Sequence, residues 1–120
     1  MILKIPKATP SLNELHGKHW TTKHKTKQQW MVLIRNALAT QLQTPDYKAK
    51  GKRTLTIKRH GKRALDVDNL YGGCKVIIDL LRDFGLLVDD DAKNIILTAS
   101  NEKLSKGDEP HTILILEDVS

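Results

Sequence analysis

The apolar spacing between residues 69 and 84 constrains the fold of this chain more than any other feature of the sequence. Five large apolar side chains fall on one side of a helix there: Leu70, Ile77, Ile78, Leu81 and Phe84. Gly85 follows directly and is a suitable residue to end the helix. A helix with one apolar stripe must bury that stripe against another layer. The sequence therefore predicts a helix packed on a further layer of structure.

Alternating apolar and polar residues supply that layer as a β-sheet. In the segment 51–60, Leu55 and Ile57 point to one side, and a more polar, basic face points to the other. The full prediction is strands at 2–6, 51–60, 92–100 and 111–117, a loop over 7–20, and helices over 22–43 and 69–84. The order β-α-β-α-β-β predicts one α+β domain over residues 1–120, a mixed sheet with helices packed on it.

Charge and cysteine content narrow the classes of function. The chain has 20 lysine and arginine residues against 14 acidic ones, a formal net charge of +6. This excess suits an anionic partner such as DNA, RNA or an acidic membrane, although surface charge also serves solubility alone. Cys74 is the only cysteine, which excludes an intramolecular disulfide and a cysteine-based zinc site. No apolar run approaches the roughly 20 residues that span a bilayer, so we expect a soluble, cytoplasmic protein.

Acidic residues are concentrated in two stretches that flank the helix over 69–84. Asp66 and Asp68 stand directly before it, and residues two apart in an extended segment point to the same side. Two close carboxylates repel each other unless a cation lies between them, and Mg²⁺ is a hard cation that takes carboxylate oxygens. The second stretch is the aspartate triplet 89–91, which follows Gly85. The sequence predicts that both stretches contribute to one magnesium site.

The same residues also have structural interpretations, which stay open at this point. Asp68 could be the N-cap of the following helix, and the triplet 89–91 could be a solvated turn. Lys75 lies about two helical turns after Asp68, where a lysine could stabilise charge on a phosphate. It is also spaced for an i, i+4 ion pair with Asp79. Acids in an otherwise basic chain favour the metal site, because acids near DNA phosphates need a bridging metal.

The order of these residues resembles the signature of the RusA family of Holliday-junction resolvases. The matching residues are Asp66-Val67-Asp68-Asn69-Leu70, then Lys75, Asp79, Gly85 and Asp89-Asp90, with Pro10-Ser11-Leu12-Asn13 near the N-terminus. The resemblance covers about residues 5 to 117. In the family the lysine comes four residues after the second aspartate, where this chain has Gly72. Because four and seven residues both return to the same helix face, Lys75 can serve from one turn further along.

The resemblance implies a homodimeric, RusA-like, magnesium-dependent endodeoxyribonuclease, with Mn²⁺ as a substitute metal. It would cut a four-way DNA junction symmetrically in recombination and repair, as a nucleoid-associated protein of bacterial or phage type. Asp66, Asp68 and Asp90 fall on the family's metal ligands, with Asp89 as a neighbouring candidate. Lys75 falls near its catalytic lysine. No small-molecule cofactor and no membrane are expected.

Basic side chains are expected to bind the DNA phosphates: Lys18, Lys23, Lys25, Lys27, Lys52, Arg53, Lys58, Arg59, Lys62 and Arg63. Lys62 and Arg63 directly precede the aspartates and are well placed to deliver a phosphate to the metal. Trp20 is a candidate to stack on a base, with a core position as the alternative. Three other functions stay open: a non-catalytic nucleic-acid-binding module, a partner-binding protein, and a nuclease specific for flaps or forks.

Overall fold

The computed structural model describes residues 1–15, 20–42 and 46–119. Its elements are β1 (Ile2–Ile5), α1 (Leu12–Leu15), α2 (Trp20–Gln41), β2 (Arg53–His60), α3 (Val67–Asp83), β3 (Ile95–Glu102) and β4 (His111–Asp118). The element α1 lies in a segment predicted to be a loop. There the Ser11 hydroxyl accepts a hydrogen bond from the Glu14 N–H at 3.0 Å, which starts one helical turn. The predicted end of α2 at residue 43 lies outside the described residues.

The four strands form one mixed sheet in the order β1-β4-β2-β3. Strands β2 and β3 are parallel, and α3 connects them, whereas β4 pairs antiparallel with both β1 and β2. A parallel pair needs such a crossover, because its strands run in the same direction. The predicted α+β class, with helices on a mixed sheet, is confirmed.

The core lies between one face of the sheet and the helices. Leu55 and Ile57 of β2 are fully buried there, as predicted, and Trp30 of α2 is buried with them. On α3, Leu70, Ile77 and Leu81 are buried, while Ile78 and Phe84 are half-buried at the margin. Within the described ranges no helix covers the other face, which exposes Ile2 by 62% and Ile96 by 46%.

Arg53 is a structural residue and not a phosphate contact, so its predicted role is wrong. The side chain is buried, and its Nε donates to Asp118 Oδ1 at 2.7 Å. Its Nη1 donates to the carbonyl oxygens of Tyr47 and Leu86 at 2.9 and 3.0 Å. The hydrogen bond that Asp118 accepts from Arg53 Nε is the main cause that lowers the pKa of Asp118. A buried guanidinium is tolerated because its donors are paired in this way.

Candidate functional site

Asp66 caps α3, so the alternative interpretation of Asp68 as the N-cap is wrong. Asp66 has extended backbone angles, and its Oδ1 accepts the Asn69 N–H at 2.9 Å. Asn69 returns a bond from its own side chain to Asp66 Oδ2 at 3.0 Å. Tyr71, three residues after Asp68, has no equivalent amide to return, which favours the earlier start. Since α3 begins at Val67, the Asp66–Asp68 segment is not extended, and the argument from strand alternation does not apply.

The N-terminal segment is docked against the start of α3. The Asn13 N–H donates to Asn69 Oδ1 at 3.1 Å, so a chain of hydrogen bonds runs from Asn13 through Asn69 to Asp66. The close approach depends on Gly73, because a Cβ there would lie 1.7 Å from the Pro10 carbonyl oxygen. A Cβ on Gly72 would lie 2.8 Å from the Leu12 side chain. The segment 10–13 therefore packs against α3 at its two glycines, Gly72 and Gly73.

The second acidic stretch folds back along α3. Leu86 and Leu87 are buried in the core, and this turns the chain after the helix so that Asp89 and Asp90 face it. Asp90 Oδ2 lies 4.0 Å from Lys75 Nζ and 3.6 Å from Arg82 Nη1. Among the ion pairs of the described residues, Lys75 therefore pairs with Asp90 in place of the predicted Asp79.

Asp89 is held in its charged form by its neighbours. Its Oδ1 accepts the Asp90 backbone N–H at 2.8 Å, and this bond is the main cause that lowers the pKa of Asp89. The positive charge of Arg82 lowers it further. The Asp89 carboxyl is therefore ionised at neutral pH. Because it is exposed, it can bind a cation or accept a hydrogen bond.

The structure brings Lys75 beside Asp90, but it does not bring all the predicted metal ligands into one group. Across residues 1–15, 20–42 and 46–119, no three His, Cys, Asp or Glu side chains form a metal-holding cluster. Asp66 and Asp68 lie at the start of α3, and Asp89 and Asp90 lie beside its later turns. The acids are thus arranged as two separate pairs along one helix.

A basic cleft of about 480 Å³ lies at the carboxyl ends of the parallel strands β2 and β3. In the described part of the chain, its charged lining consists of four cations and one acid: Arg59, Lys62, Arg63, Lys103 and Glu102. Crevices at this end of parallel strands are the usual ligand position in open α/β sheets. The loop 61–65 leads from the cleft directly to Asp66. The basic residues of the cleft and the first acidic pair are therefore joined by a short stretch of chain.

Two side chains fix the loop that lines this cleft. Asn101, at the end of β3, donates to the Leu65 carbonyl at 2.8 Å and accepts the Leu65 N–H at 3.1 Å. Arg59 donates to the carbonyl oxygens of Thr9 and Arg63 at 2.8 and 2.7 Å. Burial lowers the pKa of Arg59, and Glu14 partly offsets this. Sequence reasoning missed Asn101 and Lys103, for which the only signal was a run of polar residues ending a strand.

The other predicted DNA-binding residues are divided among several surfaces. Lys23 and Lys27 line a second groove together with Lys75. Lys25 is exposed on α2, and Lys58 lies on the open face of the sheet. Neither residue lines the cleft or the groove. Lys18 lies outside the described residues. Trp20 is 71% exposed, which excludes the core alternative for it.

Cys74 takes no part in this chemistry. It is buried in the core, and its thiol donates to the Leu70 carbonyl at 3.2 Å. Burial raises the pKa of the thiol to about 12, so it stays protonated at neutral pH.

Along the helices that the structure describes, none combines the length and the apolar character needed to cross a bilayer.

Comparisons with known proteins add no family to this description. The chain matches no protein-family model, and the comparison with curated proteins found no match.

Proposed function

We propose that the chain is a magnesium-dependent endodeoxyribonuclease that acts on branched DNA, with the four-way junction as the substrate that the RusA resemblance implies. The observation that carries this proposal is the basic cleft whose loop leads directly to Asp66. Cations in a cleft bind a phosphate backbone, and adjacent carboxylates are useful there only if a metal relieves their repulsion from it. The arrangement supports hydrolysis of a phosphodiester more than simple binding.

The carboxylates at the start of α3 have the donor chemistry that a magnesium ion takes. Mg²⁺ is commonly held by one or two carboxylates, with waters and substrate phosphates completing its shell, so a cluster of three acids is not required. Asp66 and Asp68 are exposed and supply oxygens. Each Asp66 oxygen already accepts one hydrogen bond from Asn69 and retains a further lone pair. When bound, Mg²⁺ or Mn²⁺ would supply a polarised phosphate and a more acidic water.

Asp90 is held only weakly in its present position. Its ion pairs with Lys75 and Arg82 span 4.0 and 3.6 Å between partly exposed groups. Pairs of this kind contribute less than about 1 kcal/mol. The Asp90 carboxylate can therefore be redirected to a cation, with Asp89 beside it, and this would release Lys75 to contact a phosphate.

The side chains of the chain itself would bind and orient the DNA. Lys62, Arg63 and Lys103 would hold the backbone in the cleft, while Asn101 keeps the loop before Asp66 in place. Lys75 would stabilise negative charge that develops on the phosphate. Symmetric cutting of a junction needs two such centres, so we propose a homodimer with twofold symmetry. If the junction-bound protein sedimented as a monomer, the proposed homodimer would be contradicted.

The proposal is tested by incubating the purified protein with a synthetic four-way junction, with and without Mg²⁺. We expect paired cuts at symmetric positions only when the metal is present, and uncut bound junction in chelator. Flap and fork substrates in parallel reactions establish which branched structure is preferred. Junction binding with no cleavage at any Mg²⁺ or Mn²⁺ concentration would leave only a binding module.

Salt dependence gives a separate prediction for the basic cleft. Each phosphate that a lysine or arginine neutralises on duplex DNA contributes about 0.9 to the slope of log affinity against log salt. The double variant Lys62→Ala/Arg63→Ala is expected to lower that slope by about 2 in fluorescence-anisotropy titrations with labelled junction. Lys50→Ala is the control, because Lys50 lies near the opposite end of β2 in an exposed pair with Asp46. An unchanged slope in the double variant would remove the cleft from the DNA interface.

A further inference from the structure

A second groove, of about 170 Å³, lies between α1, α2 and α3. Its apolar lining comes from Leu12, Leu15 and Val76. Among the described residues that line it, three are lysines, Lys23 and Lys27 from α2 and Lys75 from α3, and one is an acid, Asp79. An apolar floor with an excess of positive charge suits a ligand that carries both phosphates and flat rings. This combination is typical of channels for single-stranded nucleic acid.

Trp20 extends the same surface. Trp20 lies three residues before Lys23 and seven residues before Lys27, and these spacings place the three side chains on one face of α2. The Trp20 ring is 71% exposed and lies edge-on to His24, with 6.2 Å between the ring centroids. Trp30, on the same helix, is by contrast fully buried. Trp20 therefore makes no core contribution that would account for so large an apolar side chain.

We infer that this groove, with Trp20 beside it, binds an unpaired strand of DNA, with the lysines on its phosphates and Trp20 stacked on a base. The inference deepens the proposed function and rests on it in one respect, namely that the strand is a substrate. Lys75 connects the two sites, since it lines the groove and also faces Asp90. An unpaired strand in the groove would run toward the acidic residues. A strand that opens at the centre of a four-way junction, or a single-stranded arm of other branched DNA, is thus favoured over fully paired duplex.

The direct test is titration of the protein with oligothymidylate of about twelve nucleotides, followed by tryptophan fluorescence in chelator. The chain has two tryptophans, and because Trp30 is fully buried, a change reports on Trp20. We expect quenching on binding. Trp20→Ala should weaken binding about 5- to 100-fold, whereas Trp20→Phe, which keeps a stacking ring, should retain most of it. Both variants lack the fluorescent reporter, so their affinities, and that of the native chain beside them, are measured from the anisotropy of labelled oligothymidylate.

Two lysine variants extend the test. Lys27→Ala should lower the slope of log affinity against log salt by about 0.7, the value for one phosphate on a single strand. Lys50→Ala removes the same charge far from the groove and should leave both slope and affinity unchanged. Affinity of the Trp20→Ala variant equal to that of the native chain, or equal affinity for a duplex of the same length, would overturn the inference. Because no metal is present, these results are independent of whether the protein cleaves DNA.

Discussion

The Asp66→Asn variant is expected to lose at least about 100-fold of its Mg²⁺-dependent cleavage of branched DNA while its stability is nearly unchanged. Loss of a group that merely supports a metal ligand already costs about 10- to 100-fold, and loss of a ligand should cost more. Asparagine caps a helix as well as aspartate does, so the free energy of unfolding should change by less than about 1 kcal/mol. The measurements are single-turnover cleavage of labelled junction and urea unfolding.

Companion variants separate capping from chemistry at this position. Asp66→Ala should lose cleavage and also about 1 kcal/mol of stability, because the cap is lost. Asp68→Asn, which does not alter the cap, should lose cleavage alone and bind junction as well as or better than the native chain, since a repelling charge is gone. Asp108→Asn, an exposed acid on the β3–β4 connection, is the matched control. Cleavage at the native rate by Asp66→Asn would leave Asp66 with a capping role only.

The Gly73→Ala variant is expected to unfold more easily by about 1–3 kcal/mol. Helix propensity alone predicts the opposite sign, since alanine is favoured over glycine inside a helix by about 1 kcal/mol. The added methyl group would stand 1.7 Å from the Pro10 carbonyl oxygen, and backbone cannot yield there without moving the segment 10–13. Urea unfolding monitored by circular dichroism gives the difference in free energy.

A graded series of glycine variants checks this explanation. Gly72→Ala meets the flexible Leu12 side chain at 2.8 Å, so a smaller loss is expected. Gly51→Ala meets no atom within 4 Å and should change stability by less than about 0.5 kcal/mol. If Gly73→Ala proved as stable as Gly51→Ala, the packing of residues 10–13 on α3 would be wrong. Reduced cleavage by Gly73→Ala would further connect this packing to the acidic centre.

Local sequence patterns predicted the helices and strands better than their pairing and their ends. The apolar stripe of α3 and the alternation in β2 were sufficient, because burial of one face dictates both. The parallel pairing of β2 with β3 could not be predicted, since it depends on contacts between distant segments. The choice between Asp66 and Asp68 as the cap turned on Asn69, whose side chain reciprocates with Asp66 only.

The sequence supplied candidate residues for the site, but it did not predict how they are arranged in space. The proximity of Lys75 to Asp90 depends on burial of Leu86 and Leu87, which a pattern of charges does not reveal. The role of Arg53 was missed for a related reason. Arginines are usually exposed, and only the folded chain shows that Asp118 and two carbonyl oxygens surround this one.

The bond from Asn13 to Asn69 joins positions 56 residues apart in the chain. Contacts of such long range require a large loop to close, and this entropy must be offset before the contact forms. The helix carrying Asp66 and Asp68 can form from its own neighbours, but the orientation of Asn69 beside them requires the distant N-terminal segment. We therefore expect competence for the proposed metal binding to appear in refolding later than helical structure, at the step in which the N-terminal segment docks on α3.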